Sequence, residues 1–159
     1  MGLFDKIFGK HSTNIQQVQD KESSYNDMVR AMNNYQDGCD KIESMWSVMY
    51  NLNTFDGERA IQFEQICFEN LKDLDVMVKA QKQAKFDCSI PPHVPAYVRL
   101  VMLYEKQKRY TDAINMCARA IRAGAVRDGS KGMMQGRLAR LIKKSKTTVP
   151  EDILNLLDK

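Results

Sequence analysis

The sequence predicts an all-α protein, and three observations carry that prediction. Apolar residues recur at spacings of three, four and seven over most of the chain, the periods of helix faces rather than of strands. Only four prolines and eight glycines interrupt 159 residues. The strongest punctuation, Asp87 to Pro95 (DCSIPPHVP), concentrates three prolines in one short stretch. Proline ends helices and forces extended backbone before it. The expected architecture is a long antiparallel helical hairpin, a connector, a short helix pair and a basic capping helix. Three segments follow: an N-terminal amphipathic tail over 1–14, the hairpin over 15–87, and the helix pair with capping helices over 88–159. The last two are expected to form one compact unit.

The tail, MGLFDKIFGK, places Leu3, Phe4, Ile7 and Phe8 on one side of a short helix, suited to capping the domain. His11 to Asn14 reads as a polar break, with Thr13 or Asn14 available to cap the next helix. From Ile15 to Asn51 a seven-residue period takes over. Val18, Tyr25, Met32, Cys39 and Trp46 share one heptad position, and Met28, Tyr35, Ile42 and Met49 share the other. That pattern predicts a long amphipathic helix, weakened at Gly38. Its seam packs on the chain itself or on a second copy as a homodimer.

The stretch NLNTFDG, Asn51 to Gly57, supplies turn residues. Glu58 to Phe86 then reads as the second long helix. Ala60, Phe63, Cys67, Leu71, Leu74 and Val78 lie on its inner face, widened by Ile61, Ile66, Phe68 and Met77.

Beyond the prolines, Pro95 to Ala125 reads as two short amphipathic helices around the polar turn Arg109-Tyr110-Thr111-Asp112. Tyr97, Leu100, Val101 and Tyr104 form one stripe. Ala113, Ile114, Met116, Cys117, Ala120 and Ile121 form the other. With Tyr97, Leu100, Tyr104, Ala113 and Ala120 in register, this stretch resembles a tetratricopeptide repeat. It departs from that pattern at Val101, where the family has a small residue, at Cys117 for an aromatic, and at Ala125 for the closing proline. The resemblance implies a groove that holds a partner segment, lined from the first helix by Arg99, Met102, Glu105 and Lys106. No second repeat is legible in the hairpin.

The last third is basic. Residues 1–94 carry 10 basic and 14 acidic side chains, whereas residues 95–159 carry 14 basic and 6 acidic. A helix over about 130–145, capped by Ser130, buries Met134, Leu138, Leu141 and Ile142. Lys131, Arg137, Arg140, Lys143 and Lys144 form an opposite face able to bind an anion or nucleic acid. Such charge asymmetry favours an acidic protein or peptide as partner. Thr148 to Glu151 has the form of a capping box leading into a short closing helix.

No catalytic constellation is legible. There are two histidines, and His93 has no adjacent Ser, Cys or carboxylate that suggests catalysis. The sequence from Gly124 to Lys131 lacks the Gly-Lys-Ser order of a phosphate loop. Cys39, Cys67, Cys88 and Cys117 lie 28, 21 and 29 residues apart, without the paired spacing of a metal site. Cys39, Cys67 and Cys117 fall on apolar stripes, as buried thiols do in a reducing compartment. The expectation is therefore a cytoplasmic, non-enzymatic interaction module without metal or cofactor. A nucleic-acid-binding protein is the alternative, and the lack of any long apolar run argues against a membrane partner.

Overall fold

A computed structural model describes the backbone of residues 4–158 and the side chains of residues 14–158, so the apolar side chains Leu3, Phe4, Ile7 and Phe8 of the predicted N-terminal tail lie outside the described residues. The fold is all-α, and no strand occurs among the described residues. The helices are α1 (Phe4–Leu52), α2 (Glu58–Gln83), α3 (Pro95–Lys106), α4 (Tyr110–Ala123), α5 (Met133–Ser145) and α6 (Glu151–Leu154).

α1 spans 49 residues, about 73 Å at the helical rise, against 26 residues and about 39 Å for α2. The break expected at His11 to Asn14 is absent, and α1 runs straight through it. Ser, Thr and Asn are only mildly unfavourable inside helices, and no proline stands there to remove a backbone bond. Contacts between α1 and α2 run in opposite chain order. Trp46 meets Phe63, Tyr35 meets Asn70, and Tyr25 meets Phe86. The two helices are therefore antiparallel.

One heptad position behaves as the period demands: Met28, Tyr35, Ile42 and Met49 are all buried. The other divides along its length. Cys39 and Trp46 are buried, but Val18, Tyr25 and Met32 are exposed. A straight helix drifts by about 20° per heptad against a seven-residue repeat. In addition, α2 ends before it can cover the N-terminal half of α1. Ile61, expected to widen the inner face of α2, points to solvent at 67% exposure.

Gly38 does not weaken α1. A methyl group built there would lie 2.3 Å from Nδ2 of Asn70, so the glycine makes room for that side chain. Asn70, 1% exposed, donates from Nδ2 to the Tyr35 carbonyl at 2.9 Å. Its Oδ1 accepts from the Cys39 thiol at 3.7 Å. A buried amide satisfied in only one alignment fixes the register of two helices.

An aromatic knot closes the α1–α2 turn. The Trp46 ring lies 5.5 Å from Phe55 and 5.7 Å from Phe63. α3 docks on this knot through two cations. The Arg99 guanidinium sits 5.4 Å from the Trp46 ring centre, and Lys106 Nζ lies 5.1 Å from Phe55 and 5.6 Å from Tyr50. Arg99 also grips Glu43 of α1 with two hydrogen bonds, at 2.6 and 3.0 Å.

α3 and α4 pack on each other, α3 also touches α1 and α2, and α5 packs on α4. Leu100, Val101, Leu103, Ala113, Cys117, Ala120, Leu138 and Leu141 form the shared core. Gly124 ends α4 in the left-handed conformation, φ 91°, that glycine adopts without strain. The proline connector is pinned rather than loose. The Arg127 N–H donates to the Pro92 carbonyl at 2.8 Å, and His93 Nδ1 donates to the Arg127 carbonyl at 3.1 Å.

Two predicted caps do not form. α5 begins at Met133 after Gly132, and Ser130 turns its hydroxyl to Asp128 instead. The cap position falls on Gly132, two residues beyond Ser130, in the left-handed conformation. α6 starts after Pro150 with no side-chain cap, so the capping box at Thr148 to Glu151 is not made. α6 docks instead through the buried Ile153, and the turn after it through the buried Leu156, whose carbonyl accepts from Gln135 at 2.8 Å.

Candidate functional site

A groove of roughly 400 Å³ opens where α3, the start of α4 and α5 converge. Met102, Glu105 and Lys106 enter it from α3, Lys108 and Tyr110 from the turn into α4, and Arg137 and Lys144 from α5. The helical periods dictate this grouping. Met102, Glu105 and Lys106 are three and four residues apart and share a face, and Arg137 and Lys144 are two turns apart on α5.

Four cationic side chains thus stand around one carboxylate. Glu105 accepts from Lys144 Nζ at 2.6 Å and from Arg137 at 3.4 Å. Arg137 also pairs with Asp128, whose side chain is fully buried. Burial works against the Asp128 carboxylate. Hydrogen bonds from Arg137 and from the Ser130 N–H and hydroxyl outweigh it and hold the carboxyl below its ordinary pKa. Arg137 is therefore a structural cation at the base of the groove. Lys106, which keeps its contact with the Tyr50 and Phe55 rings, and Lys108 are exposed and make no ion pair among the described residues. Met102 and Tyr110, both half-buried, supply apolar surface between them.

The turn that carries Lys108 and Tyr110 is anchored to the hairpin. Arg109 lies 4.3 Å from the Tyr104 ring centre, reaches Glu64 at 3.1 Å and holds Asp112 at 2.8 Å. The Tyr104 hydroxyl donates to Glu64 at 2.6 Å. Burial, reinforced by that carboxylate, raises the phenol above its ordinary pKa, so it remains a donor. The groove wall is thereby built on α2.

Of the residues expected to hold a partner segment, Met102, Glu105 and Lys106 line this groove. Arg99 does not, because it is engaged by Glu43 and the Trp46 ring. The residues expected to form a separate anion face are divided. Arg137 and Lys144 join the groove. Arg140 holds the preceding loop, donating to the Lys131 carbonyl at 2.8 Å and the Ser130 hydroxyl at 2.9 Å. Lys131 and Lys143 are exposed and form no ion pair among the described residues. Lys108 and Tyr110 went unassigned in the sequence. Their only signal is their position in the turn, which says nothing of α5 beside them.

A second hollow, beside Gly38 and Asn70, is lined by Asp37, Lys41, Glu69 and Asp73 between α1 and α2. No group of three or more His, Cys, Asp or Glu is placed to hold a metal ion among the described residues. No described helix is long and apolar enough to cross a membrane. Compared with protein-family models, with curated proteins and with solved structures, the chain matches none.

Proposed function

We propose that this protein is a non-enzymatic adaptor that holds an acidic segment of a partner protein in the groove between α3 and α5. The observation that carries this reading is the charge arrangement. Lys106 and Lys108 are exposed and form no ion pair among the described residues, while Arg137 and Lys144 pair with Glu105. Between the cations, Met102 offers an adaptable thioether and Tyr110 a flat apolar face. Carboxylates spaced along a helix or strand would meet the lysines, and an apolar side chain between them would rest on Met102.

The resemblance of Pro95 to Ala125 to a tetratricopeptide repeat supports the same reading, since the groove draws on the first helix of the pair. The excess of basic over acidic side chains in residues 95–159 adds a field that steers an acidic partner. Buried free thiols at Cys39, Cys67 and Cys117 agree with a reducing compartment, the cytoplasm. A nucleic-acid role would draw on Lys131 and Lys143. It is the weaker reading, because Arg137 and Lys144 are already paired with carboxylates.

The test is selection of displayed random peptides on the immobilised protein, with elution by salt. Acidic sequences carrying a large apolar residue are the expected outcome, lost on the Lys106→Glu/Lys108→Glu variant. Enrichment of neutral or basic sequences, or retention unchanged by that variant, would refute the proposal.

A further inference from the structure

α1 outruns its partner helix. From Asn14 to Asp27 not one residue of it is buried. Along this overhang and one turn beyond, Ile15, Val18, Tyr25, Val29 and Met32 are 58, 62, 51, 36 and 41% exposed. Their spacing, with Glu22 in the gap between Val18 and Tyr25, places them on one stripe about 26 Å long. Phe86, 53% exposed, widens it where its ring approaches Tyr25 at 6.2 Å. Five large apolar side chains on one line, interrupted only at Glu22, differ from the single exposed residues that any surface carries.

We propose that this stripe binds a second copy of the chain, antiparallel over residues 15–32. Its own chemistry selects the occupant. In heptad terms Ile15, Glu22 and Val29 hold one core position, and Val18, Tyr25 and Met32 hold the other. The exposed flanking positions are Asn14, Gln19, Lys21, Asn26 and Asn33. Four of these five are neutral amides, so two identical stripes meet without rows of like charge. Asp20 and Asp27 fall at the outermost position, away from the contact. A strongly charged foreign helix would find almost nothing there to pair with.

Direction follows from Glu22. A parallel pair stacks Glu22 on its own copy, placing two carboxylates in one layer. An antiparallel pair sets Glu22 against Tyr25 of the other copy, where the phenol can donate to the carboxylate. In the same register Ile15 faces Met32 and Val18 faces Val29, so the stripe is self-complementary about a two-fold axis. This contact is narrower than the seam read over residues 15–51. Cys39 and Trp46, at the heptad position of Val18, Tyr25 and Met32, are already buried within the fold.

Sedimentation of the full chain across a micromolar concentration series, followed by directed cross-linking, tests the proposal. The wild type should reach dimer mass. Val18→Glu should weaken association at least about tenfold without lowering the melting temperature, while Glu22→Leu strengthens it by a similar factor. In a Cys88→Ser background, oxidation of a mixture of Ile15→Cys and Met32→Cys chains should join the two kinds to each other. A chain that stays monomeric throughout overturns the proposal. So do association indifferent to Val18→Glu, self-linking of the Ile15→Cys chain, and a monomer that floats with phosphatidylcholine vesicles.

Discussion

Replacing Gly38 with alanine should destabilise the fold, although every local rule favours the change. Alanine in a helix interior is better than glycine by about 1 kcal/mol. Here the added methyl would sit 2.3 Å from Asn70 Nδ2 and 3.2 Å from its Cγ, so Asn70 has to move. Moving it breaks the 2.9 Å bond to the Tyr35 carbonyl inside a site where Asn70 is 1% exposed. A buried amide left without its partner costs about 1–3 kcal/mol, and overpacking costs about as much again. Set against the gain in propensity, the net loss is about 1–5 kcal/mol. Urea denaturation followed by circular dichroism measures it as a lower midpoint at unchanged slope. The double variant Gly38→Ala/Asn70→Ala removes the clash and should recover part of the loss relative to Gly38→Ala. If Gly38→Ala alone raises stability by the propensity increment, the close packing of α1 and α2 described here is wrong.

Two further predictions follow from buried groups. Asp128→Asn should cost about 3 kcal/mol near neutral pH, because it leaves Arg137, 14% exposed, without its main counter-charge. The Asp128 pKa is depressed in the fold, so its contribution is complete above the unfolded value near 4 and is lost as pH falls below it. The stability gap between wild type and variant should therefore narrow from pH 5 to pH 2, and a gap that widens there would contradict the assignment. Among the thiols, burial pushes Cys117 up to about 12 and raises Cys39 and Cys67 as well. Iodoacetamide on the native protein should label Cys88, the half-buried one, and spare the other three until the fold is opened by urea. Mass spectrometry of the labelled peptides reads the result.

Periodicity carried the fold class because helix faces are local. Met28, Tyr35, Ile42 and Met49 declare the buried side of α1 without reference to anything else. What the sequence could not display were pairings across long separations. Gly38 reads locally as a weak point, and only its contact with Asn70, 32 residues away, turns it into a fitted one. The exposed fate of Val18 and Tyr25 depends on where α2 stops, which their own heptad does not encode. The polar residues from His11 to Asn14 resembled a helix boundary, yet without proline nothing there prevented the helix from continuing.

The groove was legible in part for the same reason. Met102, Glu105 and Lys106 share a helix face by spacing alone. Arg99 lies on the same helix, but its target is Glu43, 56 residues earlier, so its engagement was invisible. Arg137 and Lys144 stood out as part of a basic run. Their union with Glu105 depends on how α5 packs, which no local pattern reveals.

The measurement closest to the central claim is a fluorescence-anisotropy titration with two probes of equal formal charge. One is an acidic amphipathic peptide carrying leucine, and the other is a single-stranded RNA. The account predicts that the peptide binds, that added salt weakens it, and that Lys106→Glu/Lys108→Glu removes it while the RNA shows no comparable affinity. Tight RNA binding that survives those two substitutions, with the peptide unbound, would contradict the account.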